Sequence, residues 1–208
     1  MADAAFSVAK HVLYKDGVSV PQRPSPNHGG LLKASVLTIH FTGGPNAKGA
    51  INALTNGAAK AKVSAHLVVD RDGSVTQLLP FNVVGWHVGV AKPGRGNSQS
   101  IGIEMVNCGL LAKSGAGGYV ERLGNTKIKD SDVIIAKHKN GLSGELPWQV
   151  YPLAQYNAMV GIARAICQTY GIKIIVGHDD VCVPLGRKID PGPAWNMSRF
   201  TSEVLGRK

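Results

Sequence analysis

Ala34-Ser-Val-Leu-Thr-Ile-His-Phe41 is the most informative stretch of this 208-residue chain. Leu37, Ile39 and Phe41 alternate with Val36, Thr38 and His40, and this period of two predicts a strand. Thr42-Gly-Gly-Pro45 breaks it, and residues 45–62, rich in Ala, Asn and Lys, read as a helix with Pro45 tolerated near its start. Residues 64–70 and 74–79 read as two strands joined through the Asp72-Gly73 pair, a hairpin signal. A further strand is expected over 99–107. Residues 109–131 are Gly-rich without a clear period and are expected to form a long irregular surface excursion. Apolar residues at helical spacing over 152–170 predict a helix that Gly171 stops. A buried-type strand at 172–176 and a short helix at 198–205 complete the pattern. Strand-like and helix-like runs alternate, so the fold class is mixed α/β.

The length suits one domain with a sizeable core, and 1–208 is read as a single domain. The 26 glycines and 11 prolines imply many turns. The chain carries 23 Lys and Arg against 13 Asp and Glu, a net charge of +10, and each half contributes +5. An excess spread over the whole fold favours polyanions: nucleic acid, acidic membrane or an anionic cell envelope. The densest stretch, Lys127, Lys129, Lys137 and Lys139, lacks interleaved aromatics and any nucleic-acid motif, so it reads as a solvated face. No nucleic-acid partner is expected. No apolar run reaches the roughly 18–20 residues that span a bilayer, so membrane insertion is not expected. The start Met1-Ala-Asp-Ala-Ala-Phe6 lacks a secretory pattern, which predicts synthesis in the cytoplasm without a signal peptide. Three scattered cysteines, Cys108, Cys167 and Cys182, argue against a disulfide framework.

Three residues stand out chemically. His40 ends its strand just before Gly43-Gly44; His178 follows the 172–176 strand in Gly177-His-Asp-Asp180; Asp190 lies in Arg187-Lys-Ile-Asp-Pro-Gly-Pro193. Sites in α/β sheets gather at strand ends, where loops converge. Two imidazoles and a carboxylate form a suitable catalytic zinc set, because three protein ligands leave a fourth position for water. No local His-Glu-x-x-His motif is present, so spacing by itself supports zinc only weakly. Glu104 is an acid in the middle of an apolar strand, either salt-bridged for structure or catalytic, since an unpaired buried carboxylate is costly. It neighbours Gly102, which leaves room for a bulky ligand.

Six segments occur here in one order: His40-Phe-Thr42, Val63-Ser-Ala-His-Leu-Val-Val-Asp-Arg-Asp-Gly73, Trp86-His-Val-Gly89, Ser100-Ile-Gly-Ile-Glu-Met-Val-Asn107, Gly177-His-Asp-Asp180 and Gly186-Arg-Lys-Ile-Asp-Pro-Gly192. Together they resemble the zinc-dependent N-acetylmuramoyl-L-alanine amidases of the amidase-2 type, which are similar to peptidoglycan-recognition proteins. The resemblance covers a core of about 34–195. It implies a central mixed β-sheet flanked by helices and one Zn2+ per chain held by His40, His178 and Asp190. It further implies Glu104 as general base and Lys188 as the stabiliser of the oxyanion. Trp86 and His87 would lie beside the substrate groove, and Asn107 would contact the glycan or the peptide stem. Val181-Cys-Val-Pro-Leu-Gly186 holds about two residues more than the family's usual spacing. Cys182 is a rival third ligand, because some amidases of this kind use Cys there. His66 is expected in the core or behind the ligands, His11, His28 and His138 at the surface, Cys108 and Cys167 as apolar fillers, and Trp148 and Trp195 in the core or the groove wall.

The resemblance implies hydrolysis of the amide bond between N-acetylmuramic acid and L-alanine in peptidoglycan or a muropeptide. The positive surface adds the expectation of a phage or prophage endolysin acting on an anionic cell wall. The alternatives are a cytosolic amidase recycling anhydro-muropeptides and a non-catalytic peptidoglycan-binding module of the same fold. All three ligand positions are present together with Glu104 and Lys188, which favours the enzyme.

Overall fold

A computed structural model describes residues 5–206. At its centre lies a five-stranded sheet in the order Ile174–Gly177, Val36–Phe41, Ser100–Met105, Leu67–Val69, Val75–Gln77. The first four strands run parallel and the last antiparallel, which makes the sheet mixed. The Asp72-Gly73 turn joins the last two: the Asp72 carboxylate accepts the Ser74 N–H at 2.8 Å. Gly73 adopts φ +84°, and a Cβ there would stand 2.8 Å from the Ala154 carbonyl oxygen of the long helix. Both conditions call for glycine.

The alternation in Val36–Phe41 is realised as two faces. On one, Leu37, Ile39, Leu67, Val69, Ile101, Ile103 and Met105 join the main core with Met159, Ile162, Ala163 and Ile166 of the Leu153–Tyr170 helix. Phe200 and Val204 of the Met197–Leu205 helix close that layer. Each of these Leu, Ile, Val, Met and Phe side chains contributes about 1.5–3 kcal/mol on burial. On the other face, Val68 and Val106 pack with Leu54, Ala65 and Leu78 beneath the Ala47–Leu54 helix. Thr38, His40, Gly102 and Glu104 belong to this second face by their register. The outer strand is covered by an N-terminal meander, Phe6–Ala9, Val12–Lys15 and Val18–Ser19. Gln77 fastens it by accepting the Leu13 N–H and donating to the His11 carbonyl.

Several elements differ from expectation. The first helix spans only Ala47–Leu54, because the Asn46 side chain caps it by accepting the Gly49 N–H at 2.8 Å, and Asn56-Gly57 turns the chain soon after Leu54. Residues 109–131 are not irregular throughout. They carry a small antiparallel sheet of Leu111–Lys113, Tyr119–Glu121 and Lys127–Ile128, with Leu111 and Ile128 buried beside Cys108. The pairs His28–Leu31 with Val83–Gly85 and Val133–Lys137 with Glu145–Gln149 were likewise not foreseen.

His138 is the clearest reversal. Expected at the surface, it is buried, with its ring stacked on Trp148 and its Nε2 3.2 Å from Asp179 Oδ2. Its lysine neighbours gave it a polar context, whereas tertiary packing decides its burial. Trp148 and Trp195 both lie in the interior, as do Cys108 and Cys167. His11 and His28 are exposed, and His66 is fully buried. Among the described residues no helix is long and apolar enough to cross a membrane.

Candidate metal centre and catalytic cleft

The parallel ladder assembles the site. His40 and Glu104 occupy one rung of neighbouring strands, and Ile39 is paired with Gly177, so His178, the next residue, comes level with that rung. There the chain turns into the short helix His178–Val181, with the Asp180 carboxylate accepting the Gly177 N–H at 2.9 Å. The Asp190 carbonyl accepts the Asp179 N–H at 2.8 Å, which returns the distant loop to the same strand end.

His40, His178 and Asp190 converge. His40 Nδ1 lies 3.0 Å from His178 Nδ1 and 2.8 Å from Asp190 Oδ2, and His178 Nδ1 lies 3.0 Å from the same oxygen. All three residues are buried and form the group able to hold a metal ion among the described residues. They line a cleft of about 400 Å³ with Glu104, Lys188, Arg187, Trp86 and His87.

The protons of this group can be assigned from its partners. His178 Nε2 lies 2.9 Å from the Val88 carbonyl, which only accepts, so that nitrogen carries the hydrogen and Nδ1 offers a lone pair. His87 Nε2 faces the Ser100 carbonyl at 3.2 Å, which by the same logic leaves His87 Nδ1 an acceptor for the Nε2–H of His40, 2.9 Å away. His40 Nδ1 is then also bare. Both Nδ1 atoms face the same oxygen of the buried Asp190 carboxylate. Burial keeps His40 neutral by lowering its pKa, against the raising influence of Asp190. Two imidazole lone pairs and a carboxylate oxygen therefore face one another with no proton between them, a donor set suited to a divalent cation such as zinc.

Glu104 faces the cleft, and its Oε2 is buried without a hydrogen-bond partner. Burial, and then the Asp190 charge, push its pKa well above the glutamate range, while Lys188 opposes them. Lys188 reaches the cleft although its loop is long. The added residues form a bridge, Ala91 pairing with Cys182, and the Val183 N–H bonds to the Val90 carbonyl at 3.1 Å. Arg187, which sequence reading did not single out, staples this loop by donating to the carbonyls of Val183, Val88 and Val90. The one available signal was its place beside Lys188.

Other expectations shift. Trp86 does line the cleft. Asn107 does not: it is fully buried, its amide donates to the Gln149 and Val150 carbonyls, and its oxygen accepts the Gly109 N–H. With those bonds made it holds a loop and has nothing left for a glycan or peptide stem. Cys182 is buried in the bridge, outside the converging group. The space beside Gly102 is not open to a ligand, because the His87 ring fills it.

Comparison with known proteins places this geometry in context. Residues 31–193 match the profile of the amidase-2 family, described as N-acetylmuramoyl-L-alanine amidase. The chain is 30% identical over 147 residues to 1,6-anhydro-N-acetylmuramyl-L-alanine amidase AmpD of Escherichia coli, covering 68% of this chain and 58% of that protein. It is 33% identical over 116 residues to the N-acetylmuramoyl-L-alanine amidase CwlA of Bacillus subtilis, covering 55% and 38%. The chain thus spans about three fifths of the AmpD relatives it matches. A crystal structure of AmpD superposes with a TM-score of 0.63 at 24% identity, covering 89% of this chain and 94% of that one. The E. coli amidase AmiD, in complex with anhydro-N-acetylmuramic acid-L-Ala-D-γ-Glu-L-Lys, superposes at 0.59 and 23%, covering 96% and 65%. These likenesses show the shared mixed α/β fold.

Proposed function

The chain belongs to the N-acetylmuramoyl-L-alanine amidase family, and we propose from that premise that it hydrolyses the amide bond between the lactoyl group of N-acetylmuramic acid and L-alanine. The observation that carries this reading is the pairing of one proton-free donor set with one unpartnered carboxyl in a single cleft. His40, His178 and Asp190 would hold zinc, which when bound polarises the scissile carbonyl and acidifies water. Glu104 takes a proton from the attacking water and passes it to the departing L-alanine nitrogen, and its raised pKa suits both roles. Lys188 presents an ammonium to the oxygen that becomes negative in the tetrahedral transition state. Trp86 supplies an apolar wall for the muropeptide. Zinc analysis combined with muropeptide cleavage before and after chelation tests the reading; full activity in metal-free protein overturns it.

Within that activity we propose soluble anhydro-muropeptides as substrates, in a cytosolic recycling role. The AmpD relatives support this better than the wall-lytic endolysin role expected from charge. The net charge of +10 is the observation that keeps a lytic reading alive as a second candidate. Comparing rates on soluble anhydro-muropeptides and intact sacculi separates them: faster turnover of sacculi would reverse the order.

A further inference from the structure

His87 has a position that substrate contact does not explain. Its ring lies against Gly102, where a Cβ would stand 2.5 Å from Nδ1 and 2.6 Å from Cγ, so a glycine on that strand is what admits the ring. It meets His40 edge to face, at 86° with centroids 5.1 Å apart. Both of its nitrogens are engaged, Nδ1 with His40 Nε2 at 2.9 Å and Nε2 with the Ser100 carbonyl at 3.2 Å. Its backbone is fixed too. The Asn97 side-chain oxygen accepts the N–H groups of His87 and Val88 at 3.0 and 2.9 Å.

The two histidines of the candidate centre are thereby oriented by different devices on one dipeptide. His178 is held by main chain, through the Val88 carbonyl. Among the described residues His40 has no carbonyl in that role, and its Nε2 meets the neighbouring ring instead. We propose that His87 is a positioning residue: a His40–His87–Ser100 carbonyl relay fixes the tautomer and plane of His40 and keeps its Nδ1 free for the metal. Partners behind a ligand imidazole typically contribute tenfold to hundredfold in metal affinity. The assignment rests on the metal reading above, and it goes beyond the place beside the groove expected of this residue from sequence.

The test uses the full chain. Competition with a chromophoric chelator should give His87→Leu a zinc dissociation constant about 10–100-fold above wild type. His87→Asn, whose side-chain oxygen can replace Nδ1 as acceptor, should recover most of the loss. The visible spectrum of the cobalt-loaded protein should shift in the leucine variant and return toward wild type in the asparagine one. Nitrogen-15 histidine NMR of the unmutated metal-free protein needs no variant to fold, and should find His40 and His87 both protonated at Nε2. A proton on His87 Nδ1 overturns the relay. So does a leucine variant with unchanged zinc affinity and cobalt spectrum, or one that only raises KM, which restores the groove contact. Wild-type protein that binds no zinc instead removes the metal reading itself, and the relay with it.

Discussion

At the scale of single residues, the Glu104 carboxyl is costly for the fold. It sits mid-strand with one oxygen unsatisfied, and an unmet buried polar group costs about 1–3 kcal/mol. Glu104→Gln should therefore leave stability intact or improved while kcat falls about 10²–10⁴-fold, the usual weight of general acid–base catalysis. Metal content measured alongside should not change. His66 gives a pH signature of a different kind. Gly102 N–H donates to its Nδ1, its Nε2–H meets the Val83 carbonyl, and burial lowers its pKa to about 4 from 6.5. Below pH 6.5 the unfolded chain takes up a proton that the folded chain refuses until about pH 4. Stability from the neutral ring is thus whole above pH 6.5 and declines by about 3 kcal/mol as the pH falls toward 4. Urea unfolding across that range should show the decline in wild type and a flatter dependence in His66→Gln.

At this same scale the chain was legible in parts. The residues that converge, His40, His178 and Asp190, could be picked out because each directly follows or ends a readable strand, or sits in a quotable motif. Asn107 and His138 were misjudged for one reason. Their partners, Gln149 and Asp179, lie 42 and 41 residues away, and no local pattern encodes which distant group a polar side chain will meet.

At the scale of elements, strands of the central sheet and the long helix were readable within a few residues, because burial on a fixed face imposes a period. The small sheet at 111–128 and the N-terminal meander were not, since their strands run two to four residues and bury little. The loop from Val181 to Arg187 holds a prediction of its own. It is exposed at Val183, Pro184 and Leu185, and Arg187 ties it down through three carbonyls. Arg187→Ala should make this segment the first site of limited proteolysis, with kcat reduced through a looser Lys188 and the melting temperature little changed. A cleavage map like wild type would count against the staple.

At the scale of the molecule, the charge of +10 is shared evenly between the halves instead of forming a tail. Attraction to an anionic wall would then be diffuse and readily screened, because the Debye length shrinks from about 10 Å at 0.1 M salt to about 3 Å at 1 M. Co-sedimentation with sacculi should fall steeply over that range, whereas cleavage of soluble muropeptides, governed by the cleft, should change less than about twofold. Equal salt sensitivity would tie turnover to the outer surface.

The rung shared by His40 and Glu104 also bears on how such a chain can diverge. The backbones that carry the two side chains stand one inter-strand spacing apart, about 4.8 Å, held by main-chain bonds that nearly any residue type can make. Substitutions elsewhere along both strands leave it untouched, so the rim loops are free to vary in length and specificity. Insertion of one residue between Ser100 and Glu104 has the opposite result. It would turn the carboxyl toward the layer covered by the Leu153–Tyr170 helix, so this strand tolerates exchange and does not tolerate indels.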